Sequence, residues 1–283
     1  QCCVERERLR LAALLRLGAA LGNRALFHRE DRLAVSAIEK EEQAGLGRLH
    51  ERRDVLSIPP EIEEHRLRRN IVVPDVVVNR LGSTHMLRVD GIQVERDAQV
   101  RAGVVGVGAK RAKADLRYEL AGPGASIWVN GSLTSMGKQH NDHHIEILHE
   151  ARETFSRLAW HSACGGRSRT VGTGMLRIVH GAKGSDAAQL FHNLLLSKDA
   201  EADSIPELEV LENEVVGCGH GTASGPIDEE QIFYLQSRGF SIAGARAVII
   251  TAFLNATLSA MGSETLHRWL NDLLSSGLPD LAM

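Results

Sequence analysis

The sequence predicts a mainly β protein whose β-rich centre lies between two helical parts. β-Branched runs and segments of alternating polarity dominate between Arg80 and Asp203, and the connections between them are rich in glycine. No segment of helical period convincingly separates these strands, which disfavours a doubly wound α/β fold. The pattern leaves an all-β sandwich and a β-helix open, because no strict hexapeptide repeat is present.

Four segments show the period-two alternation that is typical of a strand with one buried face. We expect the apolar residues of each segment to face the core together, since side chains two apart on a strand point to the same side. The expected core residues are Leu116, Tyr118, Leu120, Ile127, Val129, Ile145, Ile147, Leu176 and Ile178.

The first part of the chain differs from this centre in composition and in the spacing of its apolar residues. Residues 1–68 are rich in Arg, Glu, Leu and Ala, with apolar residues at helical spacing. They predict an N-terminal helical region of two or three helices, which end at Pro59 and Pro60 because proline cannot continue a helix. We assign residues 69–226 to the β-rich core and residues 227–283 to a C-terminal helical region.

Helix signals return at Asp228, which is followed by a glutamine three residues later, as in a capping box. Gly239 suits the end of this first helix, and Ser241 suits the N-cap of the next one. The second helix is apolar nearly all round between residues 247 and 254, so we expect it to be buried or covered by a partner. An amphipathic segment at residues 266–274 closes the chain.

Composition narrows the function classes. The 283 residues are 43% apolar and carry a net charge of −3 with few aromatics, so we expect no nucleic-acid partner. No apolar run approaches the roughly 18 residues that a membrane helix needs, so we expect no membrane association. The four cysteines show no CxxC spacing and no signal peptide is visible, which favours a reducing cytoplasm.

Two glycine-rich runs lack the chemistry that they superficially suggest. In the run Gly103–Lys110, Ala109 and Arg111 stand where a phosphate-binding loop has Lys and then Ser or Thr. In the run Gly221–Gly225, the serine comes one position too late for a nucleophile elbow. We therefore expect a strand with tight turns at the first run and no nucleotide site in the chain.

A polar cluster between His140 and His149 offers an alternative function, that of a metal-dependent β-helix enzyme. On an unbroken strand, four potential metal ligands would share the face opposite Ile145 and Ile147. Ligands two apart on a flat strand point in parallel, so a polar outer face or subunit contact is favoured over a metal site. The cluster consists of His140, Asp142, His143, His144, Glu146 and His149.

Cys218 and His220 form a second candidate site, in a stretch that runs from Asn213 to Gly239. We predict that they lie in a glycine-flanked turn, where backbone freedom lets both side chains aim at one point. A thiolate together with an imidazole suits iron, zinc or an iron–sulfur intermediate. The structural alternative is a buried cysteine beside a hydrogen-bonded histidine.

Three stretches resemble one known family in the same order along the chain. Residues 218–239, CGHGTASGPIDEEQIFYLQSRG, closely resemble the C-terminal signature of the SufB/SufD family, and specifically its SufD side. SDAAQLFHNLLLSKDA, at residues 185–200, and DLRYELAGPGASIWVNGSL with GKQHNDHH, within residues 115–144, resemble two further family motifs. The chain departs from the family pattern at Gly219, which replaces a serine, and at His143, which replaces an asparagine.

The resemblance implies a right-handed parallel β-helix flanked by N-terminal and C-terminal α-helical parts. It also implies a non-enzymatic scaffold subunit of the SUF iron–sulfur cluster assembly complex, which handles iron or a transient cluster and has no tightly bound cofactor. Cys218 and His220 correspond to the family's functional cysteine and histidine, implicated in cluster building at the interface of a core dimer. The other half of that dimer would be a SufB-type subunit or a second copy of the chain.

The resemblance further implies a SufC-type ABC ATPase as a partner, which would hydrolyse ATP in place of this chain. The family's ATPase-docking region corresponds to residues 228–261. The implied contact residues in this region are Asp228, Glu229, Glu230, Phe233, Tyr234 and Arg238.

Overall fold

The computed structural model describes residues 63–67, 72–79, 85–106, 109–259, 267–268 and 272. They belong to one compact unit, residues 55–283. The predicted helices before Pro59 lie outside the described residues, as does most of the amphipathic segment at 266–274. Strand β1 lies within residues 1–68, so the β structure begins earlier than the sequence assignment placed it. Its sequence, EEHRL, lacks the apolar alternation that would have identified it.

Within the described residues, twelve strands are followed by two helices. The strands are β1 (Glu63–Leu67), β2 (Val72–Asn79), β3 (His85–Val94), β4 (Gln99–Gly106), β5 (Arg111–Leu120), β6 (Ser126–Ser135), β7 (His140–His149), β8 (Phe155–Cys164), β9 (Arg169–Ile178), β10 (Asp186–Leu195), β11 (Glu201–Val210) and β12 (Gly217–Pro226). The helices are α1 (Glu229–Ser237) and α2 (Ile242–Leu258).

Successive strands alternate between two parallel sheets, so that each pair of strands makes one coil of a solenoid. The odd-numbered strands form one sheet in the order β1-β3-β5-β7-β9-β11, and the even-numbered strands form the other in the order β12-β10-β8-β6-β4-β2. Every pairing within each sheet is parallel, and equivalent positions stack from coil to coil, as Arg111, His140 and Arg169 do. This arrangement is a parallel β-helix, which confirms the fold class that the resemblance implied.

The interior of the solenoid is formed by the rows of apolar side chains that alternation predicted. Tyr118, Ile147 and Leu176 stack as one buried row in the odd-numbered sheet. The opposite sheet contributes Ile127 and Val129, both fully buried. The nine expected core residues are all buried, since each strand holds one face toward the interior along its whole length.

Large interior side chains are matched by glycines on the neighbouring strand. Gly131 pairs with Trp160, and a Cβ atom at Gly131 would lie only 2.2 Å from Trp160 Cε3. The indole therefore occupies the space that any other residue at position 131 would need. Interiors pack at crystal-like density, so this complementarity fixes the position of the tryptophan.

The helices α1 and α2 follow the last strand of the described chain. Asp228 caps α1 by accepting a hydrogen bond from the backbone N–H of Glu230 at 2.9 Å, and Ser241 caps α2 in the same way through Gly244. Gly239 ends the first helix with a positive φ of 94°, as predicted. The helix α2 packs against β6 and β8, and its buried face includes Ile250.

No single helix among the described residues has the length and apolar character to cross a membrane. The helices α1 and α2 meet those criteria only when they are taken together, as a pair bent by 119°.

We predict that Gly131→Ala destabilises the solenoid, because the added methyl group would collide with Trp160. The free energy of unfolding should fall by about 1–3 kcal/mol, the usual cost of overpacking a core. Chemical denaturation would measure it. Gly225→Ala is the matched control, since an added Cβ meets nothing within 4 Å there and the variant should unfold like the wild type. Equal stability of the two variants would contradict the packing described above.

Candidate functional site

The candidate site lies on the last coil of the solenoid, at what we call the open end, defined as strands β11 and β12. These are the edge strands of the two sheets, and no further strand within the described residues pairs with either of them. Large apolar side chains are exposed on β11, including Leu208 and Val210, and Val216, which directly precedes β12, is 74% exposed. An unpaired parallel edge with exposed apolar side chains is a surface suited to association.

Cys218 and His220 lie on strand β12, not in a turn, which corrects the sequence prediction. The whole of β12 pairs with β10, with Ala187 beside Cys218 and Gln189 beside His220. Glycine usually disfavours a strand interior, but ten residues of continuous backbone pairing with β10 override that local preference. Both side chains therefore point toward the interior side of the open end.

The strand geometry limits what the two side chains can do alone. Residues two apart on a strand stand in parallel, about 7 Å apart along the chain. Cys218 is partly buried against the apolar cluster that contains Leu176 and Ala187, whereas His220 is exposed. Within the described part of the chain, no group of three or more His, Cys, Asp or Glu side chains could hold a metal ion. The pair is therefore an incomplete ligand set.

The electrostatic setting keeps the thiol of Cys218 protonated. Burial raises its pKa above the ordinary value of 9.0, and the negative charge of Asp186 raises it further. A metal ion that binds here must therefore displace the thiol proton.

The cluster between His140 and His149 is divided between the two faces of β7. His143 and His149 point into the solenoid, and burial lowers their pKa values to about 3 and about 4. Both imidazoles are therefore neutral at physiological pH. His149 is also held in place, because its ring nitrogens lie 2.8 Å from Thr154 Oγ1 and 2.8 Å from Ser156 Oγ.

The other members of the cluster face outward, and the two carboxylates among them join cross-strand ion pairs. Asp142 lies 2.8 Å from Lys113 Nζ, and Glu146 lies 3.6 Å from Arg117 Nε. Both partners come from β5, the neighbouring strand of the same sheet. The outward face is thus the polar surface that strand geometry favoured. The structure does not bring the cluster together as a metal site.

The residues that the resemblance assigned to an ATPase partner lie on α1 and at its two ends. Asp228 is the helix cap, and Glu229 and Glu230 occupy the exposed first turn. Phe233 is 73% exposed and Tyr234 is 57% exposed. The guanidinium of Arg238 lies 5.1 Å from the centre of the Tyr234 ring.

The side chains that attach α2 to the solenoid were not predicted from the sequence. His161, on the outer face of β8, donates from Nδ1 to the carbonyl oxygen of Phe253 at 2.6 Å, and its ring stacks on the Phe253 ring at 4.5 Å. Ser132 Oγ donates to the next carbonyl, that of Leu254, at 3.2 Å. These partners lie far apart in the chain, so no local sequence pattern predicts the contacts.

The fold and the site together define a parallel β-helix protein with an open edge and a pair of C-terminal helices. The family model described as "SUF system FeS cluster assembly, SufBD core domain" matches residues 76–253. The chain therefore belongs to the SufBD family of the SUF iron–sulfur cluster assembly system, as the sequence motifs indicated.

Curated relatives agree with this assignment. An iron-sulfur cluster assembly SufBD family protein of Mycobacterium leprae is 30% identical over 58% of this chain and 44% of its own length. The iron-sulfur cluster assembly protein SufD of Escherichia coli is 30% identical over 57% of this chain and 38% of its own length. The chloroplastic protein ABCI7 of Arabidopsis thaliana is 25% identical over 64% of this chain and 36% of its own length. The chain thus spans less than half the length of these relatives.

The raised pKa of Cys218 predicts slow labelling of its thiol at neutral pH, because the thiolate is the reacting species. The rate of alkylation should rise about tenfold per pH unit and keep rising through pH 9. Peptide mass spectrometry after timed exposure to iodoacetamide would measure it. A rate that levels off below pH 8 would show that the thiol is activated instead.

Proposed function

We propose that this chain is a scaffold subunit of a SufBCD-type iron–sulfur cluster assembly complex in the cytoplasm. In this role it catalyses no reaction itself. It supports the acquisition of iron and the assembly of new clusters at the interface of a core dimer, and iron and sulfide are its cargo. Membership of the SufBD family supports the general role, and the geometry of the open end supports the particular one.

The observation that carries the proposal is the position of Cys218 and His220 on an edge strand. Both side chains point into the interior of the last coil of the described solenoid, which no further described strand covers. A single strand cannot close a ligand set around one ion, since its side chains stand in parallel. A second solenoid that meets the open end would supply the missing ligands from the opposite side. Its source would be a SufB-type subunit or a second copy of this chain.

The chemistry of the pair suits a transient cargo. A thiolate and an imidazole are both ligands that iron and iron–sulfur clusters accept. Because the thiol of Cys218 is protonated at neutral pH, loading of a metal costs the release of that proton. Two ligands and this protonation cost together favour weak binding that allows release of the cargo, in place of a tightly bound cofactor.

The helices α1 and α2 are the proposed docking site for a SufC-type ABC ATPase. The aromatic side chains of Phe233 and Tyr234 project from α1 and would bury their area against the partner. Further exposed apolar residues lie after α1 and on α2, namely Phe240, Ile242 and Val248. The charged residues Asp228, Glu229, Glu230 and Arg238 would form the polar rim of this interface.

The proposed coupling is mechanical. β12 ends at Pro226 and the cap of α1 is Asp228, so the candidate site and the docking helix are consecutive in the chain. Closure of the ATPase dimer on ATP would pull on the helices and open the core dimer. Cys218 and His220 would then be exposed to iron and to sulfur delivered through the SufB-type subunit.

The test is a pair of variants assayed in cells and as purified complexes. Cys218→Ser with His220→Ala should leave the complex intact and abolish cluster maturation, because only the cargo ligands are removed. Maturation would be read from the activity of an iron–sulfur enzyme that depends on this system. Full maturation in the double variant would contradict the assignment of these two residues.

Phe233→Ala with Tyr234→Ala is the matched second variant. It should weaken binding of the ATPase by tenfold or more, since truncation of a central aromatic anchor typically costs about 1–2 kcal/mol or more. It should leave Cys218 and His220 unchanged in their reactivity. If the variant still captures the ATPase as well as the wild type does in a pull-down, α1 is not part of the docking site.

A further inference from the structure

The open end and the inner coils differ in how they are stabilised by apolar packing. Inner coils are held by apolar rows packed on both sides, but the open end has a neighbouring coil on one side within the described residues. The inward side chains of β12 are also small or polar: Cys218, His220, Thr222 and Ser224. Apolar burial is therefore weaker here than elsewhere in the solenoid.

Two interior carboxamides on the preceding strand compensate for this weakness. Gln189 and Asn193 are inward residues of β10, and their side chains are 1% and 7% exposed. They flank Phe191, whose ring fills the interior between them against Gly172 and Gly174. Both amides thus lie immediately beneath the open end.

Each amide reaches across the interior to strand β11, which belongs to the opposite sheet. Gln189 Nε2 donates to the backbone carbonyl of Glu207 at 2.9 Å. Asn193 Nδ2 donates to Ser204 Oγ at 2.8 Å and also to Ser224 Oγ on β12 at 2.9 Å. The two N–H bonds of one amide therefore join the two strands of the open end to each other and to the coil below.

The register places these amides directly under the candidate site. Gln189 pairs with His220, and Asn193 pairs with Ser224, on the strand that carries Cys218. Hydrogen bonds between buried groups fix geometry well, because their loss leaves polar atoms without a partner. The amide of Asn193 therefore links β12 to β11, and the amide of Gln189 links β11 to β10.

We propose that Gln189 and Asn193 are positioning residues that hold the two strands of the open end at a fixed spacing. They thereby present Cys218 and His220 in one arrangement to the opposing subunit. The functional part of this inference rests on the role proposed above for Cys218 and His220. The structural part does not, and it can be tested by itself.

The test is hydrogen exchange of the full-length chain, followed by mass spectrometry of peptides that cover separate strands. In Gln189→Met with Asn193→Leu, which keep the side-chain volume but remove the donors, peptides of β11 and β12 should exchange about tenfold faster or more. Peptides of β5 to β8 should be unchanged. Equal rates at β11 and β12 in variant and wild type would overturn the proposal, as would a uniform increase in all strands.

Two further variants make the result specific. Asn141→Leu removes a buried amide of an inner coil, whose Nδ2 donates to the carbonyl of Thr134, and it should not accelerate β11 or β12 selectively. Ser224→Ala removes one acceptor with little change in volume, and it should loosen β12 more than β11 even if the double variant fails to fold. Selective loosening of the open end by Asn141→Leu, or none by Ser224→Ala, would contradict the assignment.

The exchange result is independent of the proposed function. If Cys218→Ser with His220→Ala leaves maturation intact while the amide variants loosen the open end, the amides hold the strands but serve no cluster site there. If the amide variants loosen the open end and also lower maturation while the complex persists, the positioning role is supported as stated.

Discussion

Every coil of a parallel solenoid depends on the coils above and below it, because each strand has hydrogen-bonding groups on both edges. The inner strands satisfy these groups through long, continuous parallel pairing, as β7 does with β5 and β9. The apolar rows of the interior obey the same constraint, since the register stacks buried side chains such as Tyr118, Ile147 and Leu176 from one coil to the next. Within the described residues, β11 and β12 have a neighbour on one side only. The site described here follows from that unpaired edge.

The same edge is connected to the helices through both sequence and packing. The chain passes from β12 into α1 within two residues, and α2 then lies across β6 and β8. His161 and Ser132 hold α2 by two consecutive backbone carbonyls, while its apolar face packs against the solenoid. A force on the helices would therefore be transmitted to the solenoid along two routes, one through the chain at Pro226 and one through the packed face.

Much of the solenoid could be predicted from local pattern. Alternation identified the buried faces, because a strand exposes successive residues to opposite sides whatever its partners are. The helix caps at Asp228 and Ser241 were likewise readable, since a cap depends on a few neighbouring residues. The motif resemblance supplied the β-helix itself, which alternation alone could not separate from a sandwich.

The features that could not be predicted all depend on pairing between distant residues. The glycines around Cys218 suggested a turn because glycine lowers strand preference, but the pairing with β10 decides the conformation. Asp142 and Glu146 resembled metal ligands until their basic partners, 29 residues earlier on β5, were in place. Asn193 is one polar residue among many in the sequence. Its role becomes visible only when Ser204 and Ser224 lie beside it.

The central claim is that the open end meets a second β-helix, and photo-crosslinking with purified subunits tests it most directly. A photoreactive amino acid would replace Thr222, an exposed residue of β12 next to the candidate site, and His144, on the outward face of β7, would serve as the control position. The predicted result is a crosslink from position 222 to the edge strands of a SufB-type subunit or of a second copy, with none from position 144. Crosslinking from position 144 with none from position 222 would contradict the claim.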